Sequence, residues 1–385
     1  MAQEDFRLAA LRDLGQSVWL DFISRDLLQS GRLGELVELG VAGMTTNPTI
    51  FDKAIEQGTS YDRQIDELAG RASGGEIVDE LIATDVRDAC DLLRPVWERT
   101  GHSDGYVSIE VPPAYADDTA GTIAKAKALS DMVDRPNLMV KIPGTPPGIP
   151  AIRESVAAGL NVNITLLFSR QNYERVLDAY MSGLEDRVAR HEPIDDLHSV
   201  ASFFVSRVDA KADKTIDDLL AGERDKAVRS RLQGLRGTLG LANARLVYRR
   251  FAESQRTERW HRLAERGGRL QRVLWASTST KDPSFSDVLY VDGLIAPHTV
   301  NTMPLETLEA FIDHGTVRRT ADQGADDARE RFDEAPRLGV DIQAIVDELQ
   351  NEGVSLFRQS FDALLAVVDR KRSELLTGEE GRMSA

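Results

Sequence analysis

Cysteine is almost absent: Cys90 is the single one in 385 residues. One thiol can form neither an intramolecular disulfide nor a cysteine-based zinc site, so a reducing cytoplasm is the expected compartment. Long hydrophobic runs are lacking as well. No stretch approaches the roughly 18 apolar residues of a membrane helix. The start, MAQEDFRLAALRDLG, has neither the basic nor the apolar region of a signal peptide. Positive charge is in short supply: 47 Lys and Arg face 63 Asp and Glu, a net charge of −16. That excess argues against nucleic-acid binding, which feeds on a positive surface field. A small anionic ligand stays possible, provided a few Arg or Lys side chains gather locally.

Metal and nucleotide signatures are also missing. The six histidines form no ligand set, because HEPIDDLH lacks the i, i+4 pair of a zinc-protease helix. His191 and His198 read as surface residues. GLRGTLG (234–240) is neither a Walker loop nor a GxGxxG turn after a strand, and reads as a junction between helices. There is no internal repeat of 20–50 residues and no low-complexity block. Cys90, Trp97 and Trp260 read as packing residues.

What is present is an alternation. Apolar content of 42% and charged content of 29% fit a soluble globular chain. Eight short apolar or β-branched runs are the strand candidates: 17–23, 41–47, 106–111, 138–143, 161–167, 199–205, 272–277 and 288–295. Amphipathic helical patterns separate them. Tyr173, Val176, Leu177, Tyr180, Leu184 and Val188 repeat at helical spacing, and a second helix runs from an N-cap among Asp117, Asp118 and Thr119 to Val133. Strands that each feed a helix imply a parallel sheet, and closing it gives the expected fold class, a single α/β domain over 1–385 built as a (β/α)8 TIM barrel. Additions are expected at 1–16 (an extra N-terminal helix), at 208–270 (an insertion of two or three helices) and at 340–376 (a C-terminal helix). The polar residues 377–385 are expected to form a frayed tail.

Polar residues inside the strands point to chemistry. Side chains alternate faces along a strand. In NVNITL, Asn161, Asn163 and Thr165 share one face and Val162, Ile164 and Leu166 the other. Ser108 and Glu110 oppose Val107, Ile109 and Val111. Trp19 and Asp21 oppose Val18, Leu20 and Phe22, and Lys141 opposes Val140 and Ile142. Helices packed on a barrel need an apolar outer face, so the polar members turn into the lumen near the strand ends, where barrel active sites are built. A lysine in a water-poor lumen loses hydration, and its neutral amine becomes a nucleophile toward carbonyls. Asp21 and Glu110 supply two carboxylates for proton transfer, while Asn47, Asn163 and Thr165 suit hydroxyl groups and a water. This is the chemistry of an aldolase that works through a lysine Schiff base.

The motifs resemble those of transaldolases. WLDFISRDLL and GMTTNPTIF are similar to that family's first two strand motifs, and VSIEV, MVKIPGT, NVNITLLFS and ASFFVSRVD follow in order. LWASTSTKDPSFSDVLYVDGLIAPHTVNTMP completes the set, and the dense resemblance spans roughly 15–305. The resemblance implies Lys141 as Schiff-base lysine, Asp21 as acid/base for carbon–carbon cleavage, and Glu110 with Thr165 around a proton-shuttling water. It implies Asn47, Asn163 and Ser202 as ligands of the dihydroxyacetone part, and Arg207 with Ser277 as ligands of a phosphate. One departure stands out: where the family carries a second arginine this chain has Ser279, and Lys281, two residues on, is the expected substitute. Strict alternation would send Ser202 and Arg207 to opposite faces, so Arg207 is expected on the loop past the strand. The implied partners are phosphorylated sugars, with no nucleic acid or membrane, for a monomer or homodimer; no metal or organic cofactor is implied. A barrel aldolase that releases dihydroxyacetone, and a catalytically silent phosphosugar-binding barrel, are the rival readings.

Overall fold

The computed structural model describes residues 6–383, with side chains for 7–376. Eight strands close into a barrel in sequence order: β1 Gln16–Leu20, β2 Val41–Met44, β3 Tyr106–Glu110, β4 Leu138–Pro143, β5 Val162–Leu167, β6 Ser199–Phe204, β7 Gln271–Ala276 and β8 Thr299–Met303. All neighbouring pairs are parallel. The (β/α)8 barrel read from the sequence is the observed fold.

Periodicity explains the elements it predicts. The helix Arg170–Ala189 buries Tyr173, Val176, Leu177, Tyr180 and Leu184, and Ser169 caps it by accepting from Asn172 N–H. The helix Thr119–Val133 starts at Asp118, which accepts from Gly121 N–H. Outward-facing strand residues such as Val107, Ile109, Val140, Ile142, Ile164 and Phe203 join one apolar layer beneath the helices. Cys90 and the two tryptophans, Trp97 and Trp260, are buried packing residues.

Several expectations need correction. The eighth strand is Thr299–Met303; the run 288–295 instead holds the short helix Leu289–Gly293. Val288, Val291, Leu294 and Ile295 are buried at i, i+3 spacing, and a short apolar run does not distinguish the two periods. The true strand reads as polar because Thr299 and Asn301 are paired out of sight: Gln16 Nε2 donates to Thr299 Oγ1 at 2.9 Å and Thr278 Oγ1 to Asn301 Oδ1 at 3.0 Å. Four described helices, not two or three, occupy the insertion: Ser206–Gly222, Lys226–Leu235, Leu239–Ser254 and Glu258–Ala264. Three-residue links separate them, too short to register as loops in the sequence. His198 is buried, its ring tilted by 40° against Tyr106 with centroids 5.4 Å apart, and burial pushes its pKa down to about 4. The N-terminal helix is Phe6–Asp13; the rest of the expected segment at 1–5 lies outside the described residues. The C-terminal helix is one piece, Ile342–Met383, and its backbone stays helical where a frayed tail was expected. Lys371, donating to Gly58 O at 2.8 Å and pairing with Asp62 at 2.6 Å, ties it down just before that stretch.

The floor of the lumen is filled by Trp19, which is fully buried and donates through Nε1 to Asp104 at 2.9 Å. Its ring lies against Gly43 of β2 so closely that a Cβ there would come within 2.5 Å of the indole. Glycine in this strand is therefore a requirement of the Trp19 plug. Gly43→Ala is expected to cost about 1–3 kcal/mol of stability, read by thermal unfolding. Adding Trp19→Phe should recover part of that loss, and no recovery would mean the clash lies elsewhere.

Candidate active site

Register brings the polar residues together. Glu110 of β3 is paired with Lys141 of β4, and Lys141 in turn with Asn163 of β5. Residues paired across parallel strands point the same way, so carboxylate, ammonium and amide form one layer across the lumen. Lys141 is only 5% exposed. Its Nζ donates to the Thr46 carbonyl at 3.0 Å and lies 3.5 Å from Glu110 Oε2. That second distance is an ion pair rather than a tight hydrogen bond, and Glu110 Oε2 has no hydrogen-bond partner among the described residues. Burial pushes the Glu110 pKa up to about 7; the Lys141 charge opposes the rise and Asp21 adds to it.

Asn163 is held on both ends. Its Nδ2 donates to Ser108 Oγ at 2.9 Å, and its Oδ1 accepts from Ser202 Oγ at 2.6 Å. Thr165 is fully buried, with no partner for Oγ1 among the described residues. The next residue, Leu166, has φ of 60°, where β5 shifts register against β6. A left-handed leucine in a strand is a local strain that re-aims its neighbours, and here the neighbour is Thr165.

Asp21 and Asn47 lie just beyond their strands rather than inside them. Asp21 follows β1 directly and accepts from Thr45 Oγ1 at 2.7 Å; the same hydroxyl is 2.7 Å from Thr302 Oγ1 of β8. Asn47 is the N-cap of the helix Pro48–Gln57, its Oδ1 taken by Ile50 N–H at 3.2 Å. That leaves its amide N–H groups for the lumen. Asn161 stands before β5, donating to the Pro136 and Leu138 carbonyls, outside the polar layer.

At the far rim Arg207 occupies the first turn of the helix Ser206–Gly222, not a loop. Its guanidinium sits 5.4 Å from the centre of the Phe204 ring and makes no hydrogen bond among the described residues. Burial lowers its pKa, with Glu352 and Asp21 acting in the other direction. The helix has no side-chain cap at Val205, so its first-turn N–H groups add partial positive charge beside the arginine. Ser277, at φ of 55°, meets Ser206 Oγ at 2.9 Å, and Lys281 Nζ donates to Ser279 Oγ at 2.8 Å.

A cavity of about 820 Å³ joins these groups. Asp21, Asn47, Lys141, Thr165, Ser202, Arg207, Ser277, Ser279 and Lys281 all line it, and Glu110 and Asn163 flank Lys141 in its layer. Sequence reasoning placed Ser108 in the lumen without a partner, and missed Thr45 and Thr46, which help orient the layer, and Thr302, hidden by the misread eighth strand. It also missed Leu356, Phe357 and Ser360, which bring the C-terminal helix to the cavity wall. The apolar spacing of that helix showed a buried face but not what it covers. Among the described residues no group of three or more His, Cys, Asp or Glu side chains could hold a metal ion.

The cavity has room and charge for a small anionic compound, with Arg207 at one pole and Lys141 at the other. Comparison with known proteins gives the family. The family model described as transaldolase/fructose-6-phosphate aldolase matches residues 18–368. A transaldolase of Parafrankia sp. is 48% identical over 364 residues, covering 94% of this chain and 96% of the relative. A transaldolase of Mycobacterium marinum is 46% identical over 369 residues, covering 95% and 97%. A protein named transaldolase 2, from Nostoc sp., is 44% identical over 371 residues, covering 94% and 97%.

The raised Glu110 pKa carries a signed consequence. A carboxyl whose folded pKa lies above its ordinary 4.5 binds protons more tightly folded than unfolded, so its contribution to stability falls as pH climbs from 4.5 through about 7. In Glu110→Gln that slope disappears. The melting temperature of the variant minus that of the wild type should therefore rise across this window and level off above it. A flat difference would mean that Glu110 titrates normally.

Proposed function

This chain belongs to the transaldolase/fructose-6-phosphate aldolase family, and we propose that its transaldolase activity runs through a Schiff base on Lys141. The donor is a ketose phosphate such as sedoheptulose 7-phosphate or fructose 6-phosphate. The acceptor is an aldose phosphate, glyceraldehyde 3-phosphate or erythrose 4-phosphate. The observation that carries the reading is the buried Lys141 amine, 3.5 Å from a carboxyl whose pKa stands near 7, in a cavity that also holds Asp21 and Arg207.

The chemistry follows from these positions. Glu110 takes a proton from the Lys141 ammonium, and the free amine adds to the ketose C2 carbonyl. Loss of water from the carbinolamine needs a proton delivered to its oxygen. Glu110 and Thr165, each with a buried oxygen free of protein partners, suit a water that carries it. Asp21 as carboxylate then accepts the C4 hydroxyl proton; the C3–C4 bond breaks, its electron pair neutralises the iminium to an enamine, and an aldose leaves. The reverse steps with a new aldehyde complete the transfer, Asp21 returning its proton to the new hydroxyl. Ser202, Asn163 and Asn47 are the hydrogen-bonding set for the three-carbon unit. Arg207 binds the phosphate with Ser277 and the helix N-terminus, and Lys281 supplies the second cation in place of the family's second arginine.

A monomer or homodimer in the cytoplasm is the setting we propose. Among the described residues, no helix is long and apolar enough to cross a membrane.

Borohydride trapping with fructose 6-phosphate tests the nucleophile. A reduced three-carbon adduct is expected on the Lys141 peptide, absent in Lys141→Ala and discharged when erythrose 4-phosphate precedes the borohydride. An adduct on any other lysine overturns the mechanism. For the phosphate pole, Arg207→Ala is expected to raise KM for phosphorylated substrates by about tenfold or more, with a smaller change in kcat. An unchanged KM would remove Arg207 from the phosphate site.

A further inference from the structure

The C-terminal helix turns a stripe of three residues, Gly353, Phe357 and Ser360, toward the barrel at i, i+4 and i+7, the last two lining the cavity. Gly353 rests on Leu166, where a Cβ would come within 2.9 Å of Leu166 Cδ2, and so packs against the residue after Thr165. Ser360 accepts a hydrogen bond from Thr49 Oγ1 at 2.8 Å, two residues beyond Asn47. Between them Phe357 lines the cavity, its ring centre 5.7 Å from Lys141 Nζ. Leu356, 47% exposed, continues the apolar surface to the rim. Two further ties fix the helix over the mouth: Gln350 Nε2 donates to Gly144 O at 3.1 Å, and Lys211 pairs with Glu348 at 2.7 Å and Glu352 at 2.6 Å. The register of Phe357 over the lysine is thus set on both sides.

An aromatic ring at this place has a specific chemical effect. Its face favours a cation at Nζ, ammonium or iminium. It carries no exchangeable proton and no group that orders water. The enamine left after cleavage has two fates. Its carbon can attack an acceptor aldehyde, forming a carbon–carbon bond while Asp21 protonates the new alkoxide. Or the carbon can take a proton from solvent, after which water adds to C2 of the resulting iminium and frees dihydroxyacetone and the Lys141 amine. The second path needs water on the exposed side of the intermediate, and the polar contacts of Lys141 Nζ, to Thr46 O and Glu110 Oε2, come from the barrel and its loops rather than from the C-terminal helix.

We propose that Phe357 is the specificity-determining residue that shields the Lys141-bound three-carbon intermediate from solvent, so that an aldehyde and not a proton consumes it. The inference rests on the Schiff-base reading above and extends it from the barrel to the C-terminal helix.

The test is the ratio of free dihydroxyacetone released to erythrose 4-phosphate converted, with fructose 6-phosphate as donor, in Phe357→Ala, Phe357→Gln and Phe357→Leu. Water exclusion predicts that the Ala and Gln variants raise this ratio by about tenfold, and that Leu, which keeps an apolar wall, stays within about threefold of wild type. Borohydride should still trap the adduct on Lys141 in every variant. If the adduct forms and the ratio is unchanged in Ala and Gln, the role of Phe357 is refuted and the Schiff base stands. If release and transfer fall together in all three variants, Phe357 is merely structural and the inference fails. If no adduct forms even in wild type, the Schiff-base reading itself falls, and this inference with it.

Discussion

The contact on which the site depends is the one between Lys141 and Glu110. Placing an ammonium in a barrel lumen strips it of water, and a carboxylate in the same place suffers the same loss. At 3.5 Å each is the other's counter-charge, with the carboxyl pushed up to about 7 by burial and pulled back by the lysine. A carboxyl near 7 takes up and releases a proton at neutral pH with little cost. The surroundings serve that balance. Thr46 O accepts a hydrogen bond from Lys141 Nζ, Ser108 and Ser202 lock Asn163, and Trp19 fills the floor of the lumen.

Much of this was legible in the sequence, for a physical reason. Strand residues alternate faces, and a helix-covered barrel tolerates polar groups on one face only, so Asp21, Glu110, Lys141, Asn163 and Thr165 had to share the lumen. Alternation carries no information about register, however. That Glu110 stands beside Lys141 and Asn163 beyond it depends on how neighbouring strands slide, which hydrogen bonding between strands decides. Alternation is also silent where the chain leaves the strand: Asn47 sits at a helix cap and Arg207 in a helix first turn. The eighth strand was misplaced because its polar residues are satisfied by partners distant in sequence, Gln16 and Thr278 among them. His198 was misjudged likewise, its neighbours being invisible to local pattern.

The C-terminal helix was visible as a helix and opaque as a wall. Its apolar spacing required a buried face, but two kinds of surface lie beneath that face. Part of it packs on other helices, through Lys371 and Asp62 among others. Part of it spans the barrel mouth, where Gly353, Phe357 and Ser360 meet the strand ends. The chemistry therefore divides between two structures. On the proposed mechanism, Lys141, Glu110 and Thr165 stand on the closed sheet and Asp21 at its edge, while Phe357, proposed to limit water, stands on an appended helix.

Charge makes that division coherent. A protein of net charge −16 repels phosphate esters at long range, but screening confines this field to about 8 Å at physiological salt. Close to the mouth, individual charges decide. Arg207 feels Glu352 and Asp21, both of which would weaken its pull on an anion. Lys211 answers one of them: it pairs with Glu348 and Glu352 and so offsets the acidic face that the C-terminal helix turns toward Arg207. The same pairs fasten the helix that carries Phe357 to the helix that carries Arg207. In the roles proposed for Phe357 and Arg207, one set of contacts would serve both, drawing the helix in over the reacting carbon and leaving the arginine its positive charge.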